Sequence, residues 1–469
     1  MTSVLRFATN EYFLSGNFES DLTSQNPILV DPLWKGTKLE DHLNHFPLPT
    51  FTSDHSFCLV TSGSTGLPKM VWKEWEEIQR EVSYWTNVPE IKTLMSQTNK
   101  VQVQVPLCHL YGLLWGFFIP KRLGIQIHWT SSPTAGDLWI TSAPQLQRAL
   151  DSKTPLPRTA IVSGMKFPVP LARHLRELGG ISVTEIYGST ETGGIGFRDP
   201  LRQNRFQILS GIETKVQSEE GISETELQIR SPFLSHKSFL LKDNGWEKQT
   251  TPPSEYYSVG DLGNLTDLGW FLLGRKDRII KHNGKRVSLD RIESEILGLG
   301  LGGEFVCVPL KDELGDTIGL FYSGNYAASE ILQILRRELP VSHIPKVLLS
   351  NPTLPKLPNG KPDYQTITQL CFEEFQSLKT EKLNLKAFEP TNSQSSILEI
   401  LESILGIQPD PNQHLVYDYG MDSIQYADLM LRLEKKIKHK IPEEDKRTSY
   451  FASASGIEEY IKEKLYLLE

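Results

Sequence analysis

The chain has 469 residues, more than one hydrophobic core usually supports, so its length predicts two or three domains. A formal net charge of -8 argues against nonspecific binding to nucleic acid, which requires a basic face, and no nucleic-acid partner is expected. Four widely separated cysteines, Cys58, Cys108, Cys307 and Cys371, form neither a metal-ligand pattern nor a disulfide framework, which predicts reduced thiols in a cytoplasmic protein.

The opening residues MTSVLRFATNEYF lack the basic-then-apolar order of a secretory signal. No apolar run reaches the roughly 20 residues of a membrane helix, so neither export nor a membrane span is expected. The stretch LYGLLWGFFIP is shorter, carries glycines and a proline, and reads as a buried segment. Up to about Leu370, apolar runs such as FCLVTSG, DLWITSAP, RTAIVSG and ISVTEIYGS alternate with helical stretches such as WKEWEEIQREVSYW. That alternation predicts an α/β fold with a largely parallel sheet. Past Gly211, pieces such as TKVQ, ETELQIRSP and WFLLGRKDRIIK predict a smaller, more antiparallel region. The polar segment SLKTEKLNLKAFEPTNSQSS, from Ser377 to Ser396, reads as a linker. Helical periodicity then returns in SILEILESILGI, QYADLMLRLEKKIKHK and GIEEYIKEKLYLL, which predicts a small helical bundle.

The strongest local signal is Leu59-Val-Thr-Ser-Gly-Ser-Thr-Gly-Leu-Pro-Lys69, an apolar strand entering a loop of glycines and hydroxyls that closes on a lysine. Such a loop can wrap a polyphosphate with backbone N–H groups and hydroxyls. The glycine spacing is not that of a Walker A loop, and no Gly-Lys-Ser/Thr follows. Read alone, such a cluster is more often an ordinary surface turn.

Four further motifs, in order, resemble the adenylate-forming superfamily of acyl-CoA synthetases, luciferases and nonribosomal peptide synthetase adenylation domains, over about Phe51 to Asp363. The resemblance implies that Thr61, Ser62, Gly63, Ser64, Thr65, Gly66 and Lys69 hold the ATP phosphates, with Met70 standing where the family usually has glycine. In Tyr187-Gly-Ser-Thr-Glu-Thr-Gly193 it implies that Tyr187 and Gly188 border adenine, Thr190 contacts phosphate and Glu191 binds Mg²⁺, a hard cation that needs oxygen ligands. By itself, Glu191 would serve as well to cap a following helix. Gly164, after Ser163, resembles the adenine-site glycine. Tyr257-Ser-Val-Gly-Asp261 and Gly274-Arg-Lys-Asp-Arg-Ile-Ile-Lys281 resemble the ribose-reading motifs, implying that Asp261 and Arg275 contact ribose and that Asp277 is the hinge of a mobile subdomain. Leu357-Pro-Asn-Gly-Lys361 resembles the terminal motif, whose lysine bridges the substrate carboxylate and the α-phosphate; outside this company Lys361 is an exposed turn residue.

Pro106-Leu-Cys-His-Leu-Tyr-Gly112 resembles the segment bordering the acyl pocket, with His109 at its gate, although a lone histidine beside an apolar run is also a common core group. Amino-acid-activating relatives usually place an aspartate near this segment, and none occurs between Val101 and Ile127, which points to a fatty or aryl acid. The phosphate loop begins near residue 61, whereas the family usually has over a hundred residues before it. A reduced N-terminal part is expected, with an exposed face that would favour a partner or a homodimer.

Asp418-Tyr-Gly-Met-Asp-Ser-Ile-Gln425 resembles the acyl carrier protein signature, in which Ser423 receives 4′-phosphopantetheine from a phosphopantetheinyl transferase; the same serine is otherwise an ordinary helix N-cap. Its helix is expected to set Ile424, Ala427 and Leu431 on one face. The basic run at Lys435, Lys436, Lys438 and Lys440 suits a helix C-terminus and implies no function. Gly284, in KHNGKR, resembles the lining of the thiol tunnel.

The implied architecture is an α/β adenylate-forming large domain (1–276), a mobile α+β subdomain (277–376), a linker (377–393) and an all-α carrier bundle (394–469). The implied activity is ATP- and Mg²⁺-dependent conversion of a carboxylic acid to acyl-AMP and transfer to the pantetheine thiol on Ser423, for a downstream acyl-accepting synthase or transferase. Free coenzyme A as acceptor, and a non-catalytic nucleotide-binding scaffold, are the alternatives.

Overall fold

The computed structural model describes residues 3–49, 55–62, 67–129, 138–218, 225–252, 255–282, 285–312, 315–356, 362–386, 396–405, 408–416, 419, 421, 423–442 and 444–465. Two compact units emerge: Met1–Asp277 with Ser294–Gly302 and Lys356–Asp363, and Arg278–Glu293 with Gly303–Pro355 and Tyr364–Glu469. The first division between them falls after Asp277.

In the first unit, β1 (Ser3–Phe7), β2 (Asn26–Val30) and β3 (Ser56–Ser62) run parallel, and β4 (Pro68–Glu74) returns antiparallel to β3. A second sheet has β5 (Lys100–Val103), β6 (Gln126–Trp129), β7 (Leu138–Thr141), β8 (Thr159–Val162) and β9 (Ser182–Ser189) all parallel. Its far edge turns antiparallel through β10 (Gly193–Arg198) and β11 (Gln207–Ile208). The antiparallel region past Gly211 is a sheet of β12 (Glu213–Ser218) and β13 (Thr225–Arg230), which two later strands join. The hairpin β14 (Lys237–Lys242) and β15 (Gly245–Thr250) between them extends the first sheet from β4. Strands β16 (Tyr257–Thr266) and β17 (Gly269–Arg275) complete the unit.

The helix after β4 begins at Trp75 and ends at Asn87, so Trp72, Lys73 and Glu74 of the stretch read as helical belong to the strand. The cause is local: the Glu74 backbone N–H donates to Oε2 of Glu77, which closes the helix start one residue before Trp75. Ile78, Val82 and Trp85, at helical spacing, are buried in the largest core cluster.

The stretch 110–123 is a continuous helix, buried from Gly112 to Pro120, with a π turn over Leu114–Phe118. Pro120, just beyond, has no N–H for an i→i−4 bond and crowds that carbonyl, a local cause for the widened turn. Among the described residues, no helix is long and apolar enough to cross a membrane.

In the second unit, β18 (Ile279–His282) pairs with β19 (Lys285–Ser288), and Gly284 lies outside the described residues. Strands β20 (Glu304–Asp312) and β21 (Gly315–Ser323) form a hairpin, and β22 (Val347–Ser350) joins β21 in parallel after the helix Ala328–Glu338. Ile367, Cys371 and Phe375, on one stripe of the helix Tyr364–Lys386, pack against Val306, Val308 and Phe321. That helix corrects the linker expectation, because it runs ten residues into the segment read as starting at Ser377. Residues 377–386, SLKTEKLNLK, are mostly good helix formers without glycine or proline, and propensity extends a helix already seated by its first turns.

Three helices close the chain, Ile397–Leu405, Ser423–Ile437 and Ala454–Leu465, sharing a core that includes Leu401, Leu415, Leu429, Leu433, Phe451 and Ile457. On the middle helix Ala427 is exposed and Leu431 is 53% exposed, while Leu429, Met430 and Leu433 face the core.

Gly112 sits where an added Cβ would lie 2.2 Å from the Pro106 carbonyl oxygen. The obstacle is backbone, which cannot rotate away. Gly112→Ala is expected to cost about 2–3 kcal/mol of stability, read as a lower urea midpoint at unchanged slope.

Candidate active site

Parallel α/β sheets present their ligands beyond the C-terminal ends of the strands. Here that edge carries His109 after β5, Ser163 and Gly164 after β8, and Tyr187 in the last turn of β9. Tyr111 ties the edge together by donating its hydroxyl to the carbonyls of Thr141 (3.2 Å) and Ile161 (2.6 Å). Ser163 Oγ donates to the Ile186 carbonyl at 2.9 Å, and Gly164 has φ +96°, a conformation that favours glycine.

In the first sheet, β3 leads into the Gly/Ser/Thr loop. Thr61 and Ser62 end that strand, opposite Lys69 and Pro68 of β4. Gly63, Ser64, Thr65 and Gly66 lie outside the described residues. Lys69 emerges from the hairpin with its ammonium 2.7 Å from Oε1 of Glu191, so two motifs 122 residues apart meet in one ion pair.

Gly188 lies in β9, paired with Gly194, and Thr190 and Glu191 belong to the tight connection between β9 and β10, so no helix follows for Glu191 to cap. The Ser189 N–H donates to Thr192 Oγ1 at 2.9 Å and the Thr192 N–H to Ser189 Oγ at 3.2 Å, closing the turn on itself. The Glu191 carbonyl accepts from the Ser235 N–H at 2.7 Å and from the ammonium of Lys73 at 3.3 Å. Burial pushes the Glu191 carboxyl up, but the charge and hydrogen bond of Lys69 outweigh it and hold the group below the ordinary glutamate value.

The ribose-motif residues converge in the same unit. Tyr187 donates its hydroxyl to Oδ2 of Asp261 at 2.6 Å, and burial raises that phenol's pKa far above the usual. Asp261 stands opposite Arg275 in the β16–β17 register, with 3.7 Å between Oδ1 and the guanidinium. Arg275 Nε is 3.3 Å from Oδ1 of Asp277. Behind Tyr187, the Phe206 ring lies 5.0 Å away at 31°, and the Arg198 guanidinium sits 4.6 Å over Phe206. Arg198 pairs with Glu185 at 2.6 Å, both side chains 2% exposed or less. The tyrosine is therefore held at its hydroxyl and behind its ring.

Lys361 and the four residues before it lie outside the described residues, but their flanks do not: Lys356 and Pro362 form an antiparallel bridge, and the segment groups with the first unit. Ser423 is the first residue of its helix.

His109 is paired where no motif predicted: its Nε2 lies 3.0 Å from Oδ2 of Asp31, whose other oxygen accepts from the Leu33 N–H at 3.0 Å. Cys108 adds a third donor atom, all three lying within 4.8 Å of one another. Burial and the Asp31 charge both push the Cys108 thiol up, so the trio is a protonated core thiol beside an Asp–His pair. The aspartate absent from Val101–Ile127 is supplied to His109 by the fold, as Asp31 from the end of β2.

Reading by motif also missed Lys73 and Glu81. A signal existed: Lys69, Val71 and Lys73 alternate on one face of β4, so a second lysine follows the loop lysine into a strand that is otherwise buried.

The Lys69–Glu191 pair has a pH signature. A glutamate with a depressed folded pKa stabilises the fold above its unfolded value, and that contribution is lost as pH falls through the folded pKa. In Lys69→Met, burial loses its largest opponent, leaving hydrogen bonds from the backbone and Ser189 against it. The stability gap between wild type and variant, from urea titrations at stepped pH, is expected to be small at acidic pH and to widen to about 1–3 kcal/mol above the ordinary glutamate pKa.

Residues 19–232 match the family of AMP-binding enzymes, and residues 395–445 match the phosphopantetheine attachment site. Surfactin synthase subunit 2 of Bacillus subtilis is 24% identical over 89% of this chain, which spans 12% of that protein. Tyrocidine synthase 1 of Brevibacillus parabrevis is 23% identical over 82% of this chain and 38% of its own length. The 4-coumarate–CoA ligase of Cereibacter sphaeroides is 27% identical over 50% of this chain and 51% of its own. The chain thus spans about half or less of these relatives. Among solved structures, the O-succinylbenzoate coenzyme A synthetase of Bacillus subtilis with ATP and magnesium ion superposes with TM-score 0.59 at 17% identity, over 78% of this chain and 88% of that one. The McyG A-PCP structure with phenylalanyl-adenylate superposes with TM-score 0.57 at 16% identity, over 98% of this chain and 80% of that one. At such identities the likeness is one of fold. The matched segments and the relatives agree: residues 19–232 match AMP-binding enzymes and residues 395–445 a phosphopantetheine attachment site, on the mixed α/β fold that the solved structures share.

Proposed function

We propose that the chain activates a fatty or aryl carboxylic acid with ATP and transfers the acyl group to its own carrier domain. The observation that carries this reading is the Lys69–Glu191 ion pair, which brings the end of the phosphate loop to the acidic residue of the second motif. A carboxylate held ionised beside a phosphate-loop lysine has the donor chemistry a hard cation requires, so Glu191 would hold Mg²⁺ while Lys69 turns to the phosphates. Thr61, Ser62, Gly63, Ser64, Thr65 and Gly66 complete that cradle, and Thr190 reaches a phosphate from the facing turn.

Adenine would lie against Tyr187, Gly188 and Gly164, with ribose hydroxyls donating to Asp261 beside Arg275. The acid's carboxylate oxygen attacks the α-phosphorus, the bond to the β-phosphate bridge breaks, and magnesium pyrophosphate leaves. Lys361 stabilises the charge that builds on both reacting groups, a role supported by the pairing of Lys356 with Pro362 within the unit that carries the other motifs. His109 gates the acid. Asp31 is 2% exposed and already bonded to His109 and to the Leu33 N–H, a burial that supports an uncharged acyl chain.

A 4′-phosphopantetheine on Ser423, within an all-helical carrier bundle, would supply the acceptor thiol; AMP is then released, with Gly284 lining the approach. The break between units after Asp277 supports that residue as the hinge between the two half-reactions. The coverage of an adenylation–carrier structure over nearly the whole chain favours the carrier thiol, while the similarity to a 4-coumarate–CoA ligase keeps coenzyme A as the competing acceptor.

The test is intact mass of the phosphopantetheinylated protein after incubation with ATP, Mg²⁺ and a panel of fatty and aryl acids. An acyl increment on the Ser423 peptide is expected, absent in Ser423→Ala; pyrophosphate release that yields acyl product only when coenzyme A is added would replace the carrier with the free thiol. Lys361→Ala is expected to slow pyrophosphate release at least about 100-fold, and an unchanged rate would remove Lys361 from its role.

A further inference from the structure

Behind the Glu191 turn lies a set of buried charges that the proposed chemistry does not use. Lys73 is fully buried, yet its ammonium donates to main-chain carbonyls, of Glu191 at 3.3 Å and Phe233 at 3.1 Å. Four residues along, on the next helix, Glu77 is buried, and after another turn so is Glu81. Oε1 of Glu81 accepts the Gly194 N–H at 2.6 Å and the indole N–H of Trp85 at 3.4 Å. The turn that carries Glu191 is thus gripped at both ends from one side: its carbonyl at residue 191 by a cation, its N–H at residue 194 by an acid.

The fit behind the turn leaves no slack. A Cβ on Gly193 would lie 2.7 Å from Oε2 of Glu81, and one on Gly194 would lie 2.4 Å from the Trp85 ring. Desolvating an ammonium and two carboxylates costs several kcal/mol per ion, and an apolar trio of similar volume would commonly be as stable. Stability therefore does not account for charges at these places. Their hydrogen bonds go to the backbone on either side of one functional carboxylate, and Lys73 shares its strand face with Lys69, which reaches that same carboxylate from the front.

We propose that Lys73 and Glu81 are positioning residues for Glu191, fixing its backbone so that its carboxylate is pre-aimed at the magnesium ion bound with ATP. This rests on the reading of Glu191 as the Mg²⁺ ligand. Neither residue touches nucleotide. Each acts as an outer support whose removal lets the ligand drift, and such supports typically change metal affinity by about 10–100-fold.

The experiment uses the full chain and needs no knowledge of the acid: calorimetric ATP binding, titrated with Mg²⁺ and repeated in EDTA. Glu191→Gln is expected to abolish the Mg²⁺-dependent gain in ATP affinity. Lys73→Met is expected to raise the Mg²⁺ concentration for half of that gain about tenfold, with ATP binding in EDTA within about twofold of wild type. Glu81→Gln keeps an oxygen for the Gly194 N–H and should stay near wild type, whereas Glu81→Met should shift like Lys73→Met. A full Mg²⁺ response in Glu191→Gln would overturn the reading of Glu191 itself. Loss in Glu191→Gln with wild-type Mg²⁺ dependence in Lys73→Met, or in Glu81→Met should Lys73→Met not fold, would overturn this inference alone. Equal losses with Mg²⁺ and in EDTA would also overturn it, because a merely structural role weakens both.

Discussion

The contact on which the site depends is the 2.7 Å pair between Lys69 and Glu191. Lys69 stands on the second strand of a hairpin in one sheet; Glu191 stands on the turn between the last parallel strand of the other sheet and its antiparallel neighbour. Neither sheet alone could assemble the constellation. The pair is reinforced behind by Lys73 and Ser235 on the Glu191 carbonyl, and the Ser235 hydroxyl in turn donates to the carbonyl of Trp72, on the same strand as Lys69. A strand and a turn are thereby joined through side chain and backbone together, which restricts both position and direction of the carboxylate.

A second layered arrangement governs Tyr187. The buried Glu185–Arg198 pair would be costly without compensation, and the guanidinium's planar face supplies part of it by lying over Phe206. Phe206 then backs Tyr187, whose hydroxyl is taken by Asp261. Asp261 is set against Arg275 by strand register alone. A shift of one residue in that register would turn one of the pair to the opposite face, so the pairing of β16 with β17 is itself a condition for the site.

The fold class was legible because its signal is periodic. Short apolar runs separated by amphipathic helices read as parallel strands, and the change after Gly211 marked the antiparallel sheet. Residues whose position depends on a cap or on propensity were not legible: the helix start at Trp75 needed the Glu77 carboxylate folding back on Glu74, and the extension to Lys386 needed a helix already seated on the sheet by Ile367, Cys371 and Phe375. The motifs named Lys69, Tyr187, Glu191, Asp261 and Arg275, and the fold pairs Lys69 with Glu191 and Tyr187 with Asp261 beside Arg275. Motif reading could not reach Asp31, Lys73 or Glu81, because none belongs to a motif and each functions through a contact made by tertiary folding.

Asp31 shows why the residues before the phosphate loop matter despite their small number. Strands β1 and β2 extend the sheet beside β3, while Phe13 and Phe18 pack into the same core as Phe117 and Phe118 of the segment that follows His109. The Asn10 side chain accepts the Leu107 N–H at 2.9 Å, two residues before His109. These contacts fix the His109 loop from the side of the N-terminal strands, and Asp31, at the end of β2, meets the imidazole. One short segment therefore completes a sheet, seals an apolar core and orients the histidine at the proposed acyl gate. An altered N-terminal segment should accordingly act on acid selection through His109 while leaving the nucleotide side, built on β4, β9 and β16, in place.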